Sequence, residues 1–75
     1  MMTMDTCTVK HFLVFPAEIC YLRFILEGYE GAAVVTTLQP ESGLVQLSIA
    51  PGCEDDVQQI LNSEKLKLGL RPVEI

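Results

Sequence analysis

The sequence predicts an α+β fold in which four strands and two helices follow one another in the order β-α-β-β-α-β. Three observations carry this prediction: runs rich in β-branched and aromatic residues, apolar residues at helical spacing between those runs, and turn residues between the two middle strands. A chain of 75 residues is long enough for one domain and too short for two. We therefore expect residues 1–75 to form a single domain, with residues 1–7 as a loose leader.

The first strand is expected at residues 8–15 (TVKHFLVF), where β-branched and aromatic side chains dominate. Pro16 suits the first turn of a helix, because the N–H that proline lacks has no helical partner there. From Ile19 onward, apolar residues recur at spacings of three and four. This pattern predicts a first helix that continues to about Tyr29.

The middle of the chain is typical of a β-hairpin. Its strands, residues 32–39 (AAVVTTLQ) and 44–50 (LVQLSIA), flank a Pro-Glu-Ser-Gly turn. In the second of these strands, Val45, Leu47 and Ile49 alternate with polar residues. The alternation predicts one buried face and one open face.

A second helix is expected to begin at the acidic run 54–56, since carboxylates complement the positive end of a helix dipole. It should end near residues 63–65, and residues 68–75 then form the last strand, in which Pro72 is tolerated only at a sheet edge. The order of elements matches the split β-α-β arrangement of ferredoxin-like folds. That arrangement is a four-stranded antiparallel sheet with strands 1 and 3 central, strand 4 at an edge and both helices on one face.

Charge and composition exclude several classes of function. Ten Asp and Glu against five Lys and Arg give a formal charge of -5, which repels phosphate backbones and anionic membranes. Charged residues break the apolar stretches before they reach the roughly 20 residues of a spanning helix, and no basic region opens a signal peptide. Three cysteines without close pairing favour reduced thiols. We expect a cytoplasmic protein that binds neither nucleic acid nor membranes.

The amount of apolar surface predicts a protein interface. Hydrophobic residues make up 49% of the chain, which is high for so small a core. On the first helix they cover an arc of roughly 220°, whereas packing on one sheet needs about 100–140°. Tyr21 and Phe24 are therefore candidate partner contacts, although packing of the second helix on that flank also explains part of the excess.

The first strand raises the same question, because it is apolar on both faces. His11, Leu13 and Phe15 alternate with Phe12 and Val14, and the sequence alone does not say which set the helices cover. We include Phe12 and Val14 among the candidate interface residues. The expected partner is a second copy of the chain, bound through the open sheet face or an edge strand.

No constellation of residues predicts catalysis, a bound metal or a cofactor. Cys7, His11, Cys20 and Cys53 lack the spacing of a metal site. The consecutive carboxylates at 54–56 fan around a helix start instead of converging as an acid and base pair. The carboxylates of the first helix are explained by the helix dipole and by solvation. Scattered glycines form no phosphate-binding loop, so we expect a protein that is not an enzyme.

Other proteins of this topology offer comparisons. The third strand lacks the aromatic residues on which RNA-recognition motifs stack bases, and the loop after the first strand lacks the Cys-x-x-Cys of copper chaperones and the arginine of acylphosphatases. Topology and apolar surface resemble ACT-like domains, which dimerise and bind amino acids or similar effectors near the subunit interface. Residues 15–18 (FPAE) lack the glycine-containing turn that admits the ligand in those domains, so no binding residue carries over.

Residues 21–31 (YLRFILEGYEG), followed by Ala33-Val34-Val35 and Pro51-Gly52, resemble a short bacterial family known as a domain of unknown function. This resemblance covers residues 19–52 and implies a stand-alone bacterial cytoplasmic protein without an assigned activity. The leading hypothesis is a homodimeric module that binds a small effector in an ACT-like manner. The alternative is an adaptor domain that docks a protein partner on its open sheet face or an edge strand.

Overall fold

The computed structural model describes residues 8–28 and 31–74 and has the predicted α+β architecture. Its strands form one antiparallel sheet in the order β2-β3-β1-β4, so that β4 and its Pro72 lie at an edge, as expected. The strands are β1 (Thr8–Leu13), β2 (Ala33–Gln39), β3 (Leu44–Ile49) and β4 (Arg71–Val73). The helices are α1 (Ile19–Glu27), α2 (Glu54–Ser63) and the short α3 (Lys65–Leu68).

Both long helices pack on the same face of the sheet and enclose one hydrophobic core. On β3 the predicted alternation is confirmed, because Val45, Leu47 and Ile49 are buried while Gln46 and Ser48 point to the other face. The helices contribute Ile19, Leu22, Leu26, Val57 and Leu61 to this core, and the neighbouring strands contribute Phe12, Ala33 and Val35.

The loop between β1 and α1 differs from the prediction. β1 ends at Leu13, two residues early, because the next backbone N–H groups leave the strand ladder. The N–H of Val14 donates to the carbonyl of Gly43 at 3.0 Å, and that of Phe15 donates to the carbonyl of Leu68 at 2.8 Å. Pro16 begins a 3₁₀ turn over Pro16–Glu18, so α1 starts only at Ile19.

The end of the chain departs furthest from the prediction of a strand over residues 68–75. Residues 65–68 form α3, and β4 covers only Arg71–Val73. Gly69 ends α3 in the left-handed conformation (φ 63°), and the N–H of Leu70 donates to the carbonyl of Lys65 at 3.1 Å, as in a Schellman motif. The predicted leader at 1–7, the helix end at Tyr29 and the strand end at residue 75 lie outside the described residues.

Gly43 is required by the turn between β2 and β3. Its φ of 84° favours glycine, and a Cβ there would overlap the carbonyl oxygen of Val14. Gly31 has a similar φ of 67°, but a Cβ at that position meets nothing within 4 Å. The two glycines therefore separate the effect of backbone conformation from the effect of close packing.

Glu54 joins the start of β1 to the start of α2. Its carboxylate accepts hydrogen bonds from the Thr8 hydroxyl and the Gly52 N–H, each at 3.0 Å. The backbone N–H of Glu54 itself, followed by these two donors, lowers the pKa of the Glu54 carboxyl below its ordinary value. The sequence predicts that the acidic run complements the dipole at the start of the helix. At Glu54 the carboxylate also joins β1 to α2.

Candidate interaction surfaces

The four predicted interface residues separate into two pairs. Phe12 and Val14 are only 6% and 3% exposed and belong to the core. Phe12 pairs with the buried Val45 of β3, so its side of β1 faces the helices. The structure therefore removes Phe12 and Val14 from the candidate interface, and Val9 (51% exposed) lies on the open face instead.

Tyr21 is half-buried and connects α1 to the end of α2. Its hydroxyl donates to Glu64 Oε1 at 3.1 Å, and Lys67 Nζ lies 4.9 Å from the ring centroid. The hydrogen bond to Glu64, together with desolvation and the nearby negative charge, raises the pKa of Tyr21 above 10.0. These contacts assign Tyr21 a role within the fold.

Phe24 points outward from α1 and is 72% exposed. It borders a shallow groove of about 370 Å³ between α1 and α2, whose lining includes the half-buried Ile25 and Ile60. The second helix thus covers part of the apolar arc predicted on α1, but it does not cover Phe24.

The open face of the sheet consists of three rows of side chains across the strands. The first row is apolar at both ends (Val34, Ser48, Val9), the second is mainly polar (Thr36, Gln46, His11, Val73), and the third runs from Gln39 through Leu44 and Leu13 to Arg71. Among the described strand residues of this face, Arg71 at the rim is the only Lys, Arg, Asp or Glu.

His11 lies near the centre of this face and pairs with Gln46 across the strands. Its Nε2 lies 3.2 Å from Gln46 Oε1, a contact in which the Nε2–H form of the ring donates. The ring is therefore engaged by a neutral amide. The pair adds hydrogen-bonding groups to the open face without adding a carboxylate.

Side chains of α1 cover the free edge of β2. Glu27 Oε2 accepts the backbone N–H of Val35 at 2.9 Å, and Arg23 Nη2 lies 3.4 Å from both the Val35 carbonyl and Thr37 Oγ1. Arg23 and Glu27 also form an ion pair, with 3.8 Å between Nε and Oε2. The prediction that solvation and the helix dipole explain the carboxylates of the first helix is therefore incomplete for Glu27. Its carboxylate accepts a backbone N–H at the sheet edge, a donor that another strand would otherwise use.

A third surface was missed by the sequence reasoning. Leu66 on α3 is 93% exposed and Phe15 is 55% exposed, and both line a groove of about 430 Å³. Residues 65–68 (KLKL) alternate like a strand, which hid the one-turn helix. The signal that would have revealed it is Gly69, a common residue just after a helix, with lysines in the preceding turn.

Cysteine and histidine positions give no metal centre within residues 8–28 and 31–74, where no three potential ligands come together. Cys20 is exposed on α1, Cys53 is half-buried before α2, and Cys7 lies outside the described residues. In the same part of the chain, no helix has the length and apolar character needed to cross a membrane.

Comparison with known proteins identifies the family. The sequence model of one family, described as Domain of unknown function (DUF4911), matches residues 12–67, from the middle of β1 into α3. No curated protein and no solved structure matches the chain. The matched range spans most of the 75 residues and contains the segments on which the sequence resemblance rested. The chain belongs to the DUF4911 family of domains of unknown function.

Proposed function

We propose that this chain is a non-enzymatic bacterial cytoplasmic module that forms a homodimer through the open face of its sheet. The antiparallel order β2-β3-β1-β4, with both long helices on one face, supports a ferredoxin-like assignment. In that arrangement the fold covers only one side of the sheet. Within residues 8–28 and 31–74, no helix covers the other side, which we propose a second chain occupies.

The observation that carries the proposal is the near absence of charge from the open face. In a two-fold interface a surface meets its own copy, so a charged patch would face like charges. The chain as a whole is 20% charged with a net charge of -5, yet the described strands place only Arg71 on this face. Depletion of charge is typical of interface cores.

The small size of the face favours a weak dimer. Three strands of six or seven residues and the three-residue β4, spaced about 4.8 Å apart, give a face of at most about 19 by 20 Å, or roughly 400 Å². A standard interface buries about 800 Å² on each partner. We therefore expect a dissociation constant on the order of micromolar and not nanomolar.

The sheet edges support the face over an edge strand as the contact. Arg23 and Glu27 cover the β2 edge at Val35, and β4 is three residues long and contains Pro72. Side-chain covers, short edge strands and proline all oppose the addition of another strand. An edge-to-edge dimer through β2 would first have to displace the Arg23–Glu27 pair.

The loop after β1 gives an ACT-like effector less support. The N–H groups of Phe15 and Glu18 already donate within the protein, to Leu68 and Phe15 respectively. Pro16 has no N–H. The loop therefore has few backbone donors left for a ligand, and we propose the dimer without assigning an effector to it.

Sedimentation equilibrium of the wild-type chain and two charge-insertion variants tests the proposal. Val34→Glu places a carboxylate on the open face, where Val34 is 56% exposed, and Phe24→Glu makes a matched change on the exposed surface of α1. We expect a concentration-dependent dimer in the wild type, about tenfold weaker or more in Val34→Glu and unchanged in Phe24→Glu. Circular dichroism checks that both variants fold.

Two results would overturn the proposal. A wild-type monomer at every concentration, up to about 1 mM, would remove the homodimer and direct attention to the adaptor alternative. Dissociation by Phe24→Glu alone would transfer the dimer contact to α1, the surface that includes the predicted Tyr21 and Phe24.

A further inference from the structure

The third surface lies away from the centre of the open face, at the end of the molecule where α3 meets the β1–α1 loop. We call it the Phe15–Leu66 patch and define it by Phe15, Pro16, Lys65, Leu66 and Arg71, all of which line the groove of about 430 Å³. The size of the groove falls within the range of roughly 300–1,000 Å³ that is usual for ligand pockets. Leu66 is 93% exposed, and an isolated leucine would be unremarkable, but here it lies beside a second large apolar side chain.

The aromatic ring of Phe15 is held in place although it is more than half exposed. Its backbone N–H donates to the Leu68 carbonyl at 2.8 Å. The ring lies against Gly69, where a Cβ would come within 2.6 Å of the ring atoms. A side chain positioned in this way loses little freedom when a partner binds, so the Phe15 part of the patch is preorganised.

The cations around the patch differ in their contacts. Lys67 is engaged within the fold, because its Nζ lies 3.6 Å from Glu18 Oε1 and over the ring of Tyr21. Lys65 and Arg71 form no ion pair with the described residues. The groove that they line contains no described carboxylate, in a chain with twice as many acidic as basic residues.

We infer that the Phe15–Leu66 patch docks an acidic amphipathic segment of a partner protein. Carboxylates of that segment would pair with Lys65 and Arg71, while its large apolar side chains occupy the groove beside Phe15 and Leu66. An amphipathic helix in an apolar groove is a common mode of peptide recognition, with anchors at spacings of three and four. This inference concerns a partner other than a second copy and does not depend on the homodimer.

Charge favours a peptide over an anionic membrane as the occupant. The Debye length at physiological salt is about 8 Å, whereas the molecule is 39 Å in its longest dimension. A short peptide in the groove therefore senses Lys65 and Arg71, which line it, more strongly than the carboxylates on the far side of the molecule. An extended anionic surface would also meet the carboxylates elsewhere on a chain with a net charge of -5.

Fluorescence polarisation with two labelled synthetic peptides tests the inference. The first is a 14-residue peptide (a length of about four helical turns) with leucines at i, i+3, i+4 and i+7 and glutamates at most other positions, and the second replaces every glutamate with lysine. We expect the wild-type chain to bind the acidic peptide at least about tenfold more tightly than the basic one. Raising the salt concentration should weaken that binding.

Variants locate the binding surface. Leu66→Ser and the double variant Lys65→Glu with Arg71→Glu should each weaken binding of the acidic peptide by about tenfold or more. Matched changes elsewhere, Phe24→Ser and Lys10→Glu, should leave it unchanged. Leu66 and Lys65 lie on α3 and not on the sheet, so Leu66→Ser should preserve the wild-type sedimentation behaviour, which separates this inference from the proposed dimer.

Three outcomes would overturn the inference: equal binding of the acidic and basic peptides, no binding of the acidic peptide, or binding that Leu66→Ser and the double charge reversal leave unchanged. Liposomes containing anionic lipid provide the competing occupant. Sedimentation of the chain with these liposomes, lost in Leu66→Ser, together with absence of peptide binding would assign the patch to a lipid surface.

Discussion

Replacement of Leu47 by alanine tests the arrangement of the sheet most directly. Leu47 lies in the central strand β3, has 0% of its surface exposed and pairs with Val35 on one side and Lys10 on the other. Deleting a buried leucine side chain costs about 2–5 kcal/mol, more where the surroundings cannot collapse into the cavity. Both neighbouring strands and the helices above hold this site open, so we expect the upper half of that range.

This loss is large for so small a domain, whose free energy of unfolding we expect at about 4–11 kcal/mol from its length. Urea denaturation followed by circular dichroism measures the change, and with a slope of about 1 kcal/mol/M the midpoint should fall by about 3.5–5 M. Leu66→Ala is the matched control, because it is the same substitution at a leucine that is 93% exposed. We expect its effect to be about 0.5 kcal/mol or less.

A Leu47→Ala effect below about 1 kcal/mol would refute the assignment of this face of β3 to the core. If the variant is unfolded without urea, Ile49→Val provides a smaller perturbation at another core position of the same face, where 2% of the surface is exposed. Its expected cost is about 0.5–1.5 kcal/mol. An effect near zero at Ile49 would refute the reasoning in the same way.

Three further predictions address the turn, the sheet edge and the acid response. Gly43→Ala should destabilise the protein by about 2 kcal/mol or more, and Gly31→Ala by only about 1 kcal/mol. Both positions have a positive φ, but only a Cβ at Gly43 meets a backbone carbonyl. Equal urea midpoints of the two variants would contradict this prediction. Glu27→Ala leaves the Val35 N–H without its acceptor, so it should cost about 1 kcal/mol of stability and increase light scattering at high concentration. Glu27→Gln keeps an acceptor oxygen and should cause a smaller loss of stability and less scattering. Identical behaviour of the two variants would argue against protection of the sheet edge. The folded-state pKa of Glu54 lies below its ordinary value of 4.5, so its stabilising contribution is present above pH 4.5 and is lost as the pH falls through the folded-state pKa. Glu54→Gln should therefore flatten the acid limb of a plot of unfolding free energy against pH. An unaltered acid limb would contradict this prediction.

Patterns along the chain were sufficient for the core face of β3 and for the edge position of β4, because alternation reports burial and proline opposes central pairing. The alternation on β3 placed Val45, Leu47 and Ile49 in the core, and Pro72 indicated an edge strand. The same reasoning left β1 undecided, because a strand that is apolar on both faces carries no period of two. Only the pairing of Phe12 with Val45 decides which side the helices cover.

The candidate surfaces were harder to predict because they depend on segments that are distant in sequence. Glu27 is eight residues from Val35, and its contact with the β2 edge exists only after α1 folds back over the sheet. Phe15 and Leu66 are fifty-one positions apart (66 minus 15) and become neighbours only when the Phe15 N–H reaches the carbonyl that ends α3. Hydropathy marks each of these residues singly and says nothing about their proximity.

The sequence by itself determined the α+β class, the order of the main elements, the core of β3 and the family resemblance. Each depends on local spacing or on a contiguous motif, which the chain carries in any conformation. The tertiary structure alone decided that Phe12 and Val14 are buried, that the open face is almost uncharged and that Leu66 lies beside Phe15. These features depend on strand register and on the hydrogen bond from the Phe15 N–H to the Leu68 carbonyl, both of which join segments that are distant in sequence.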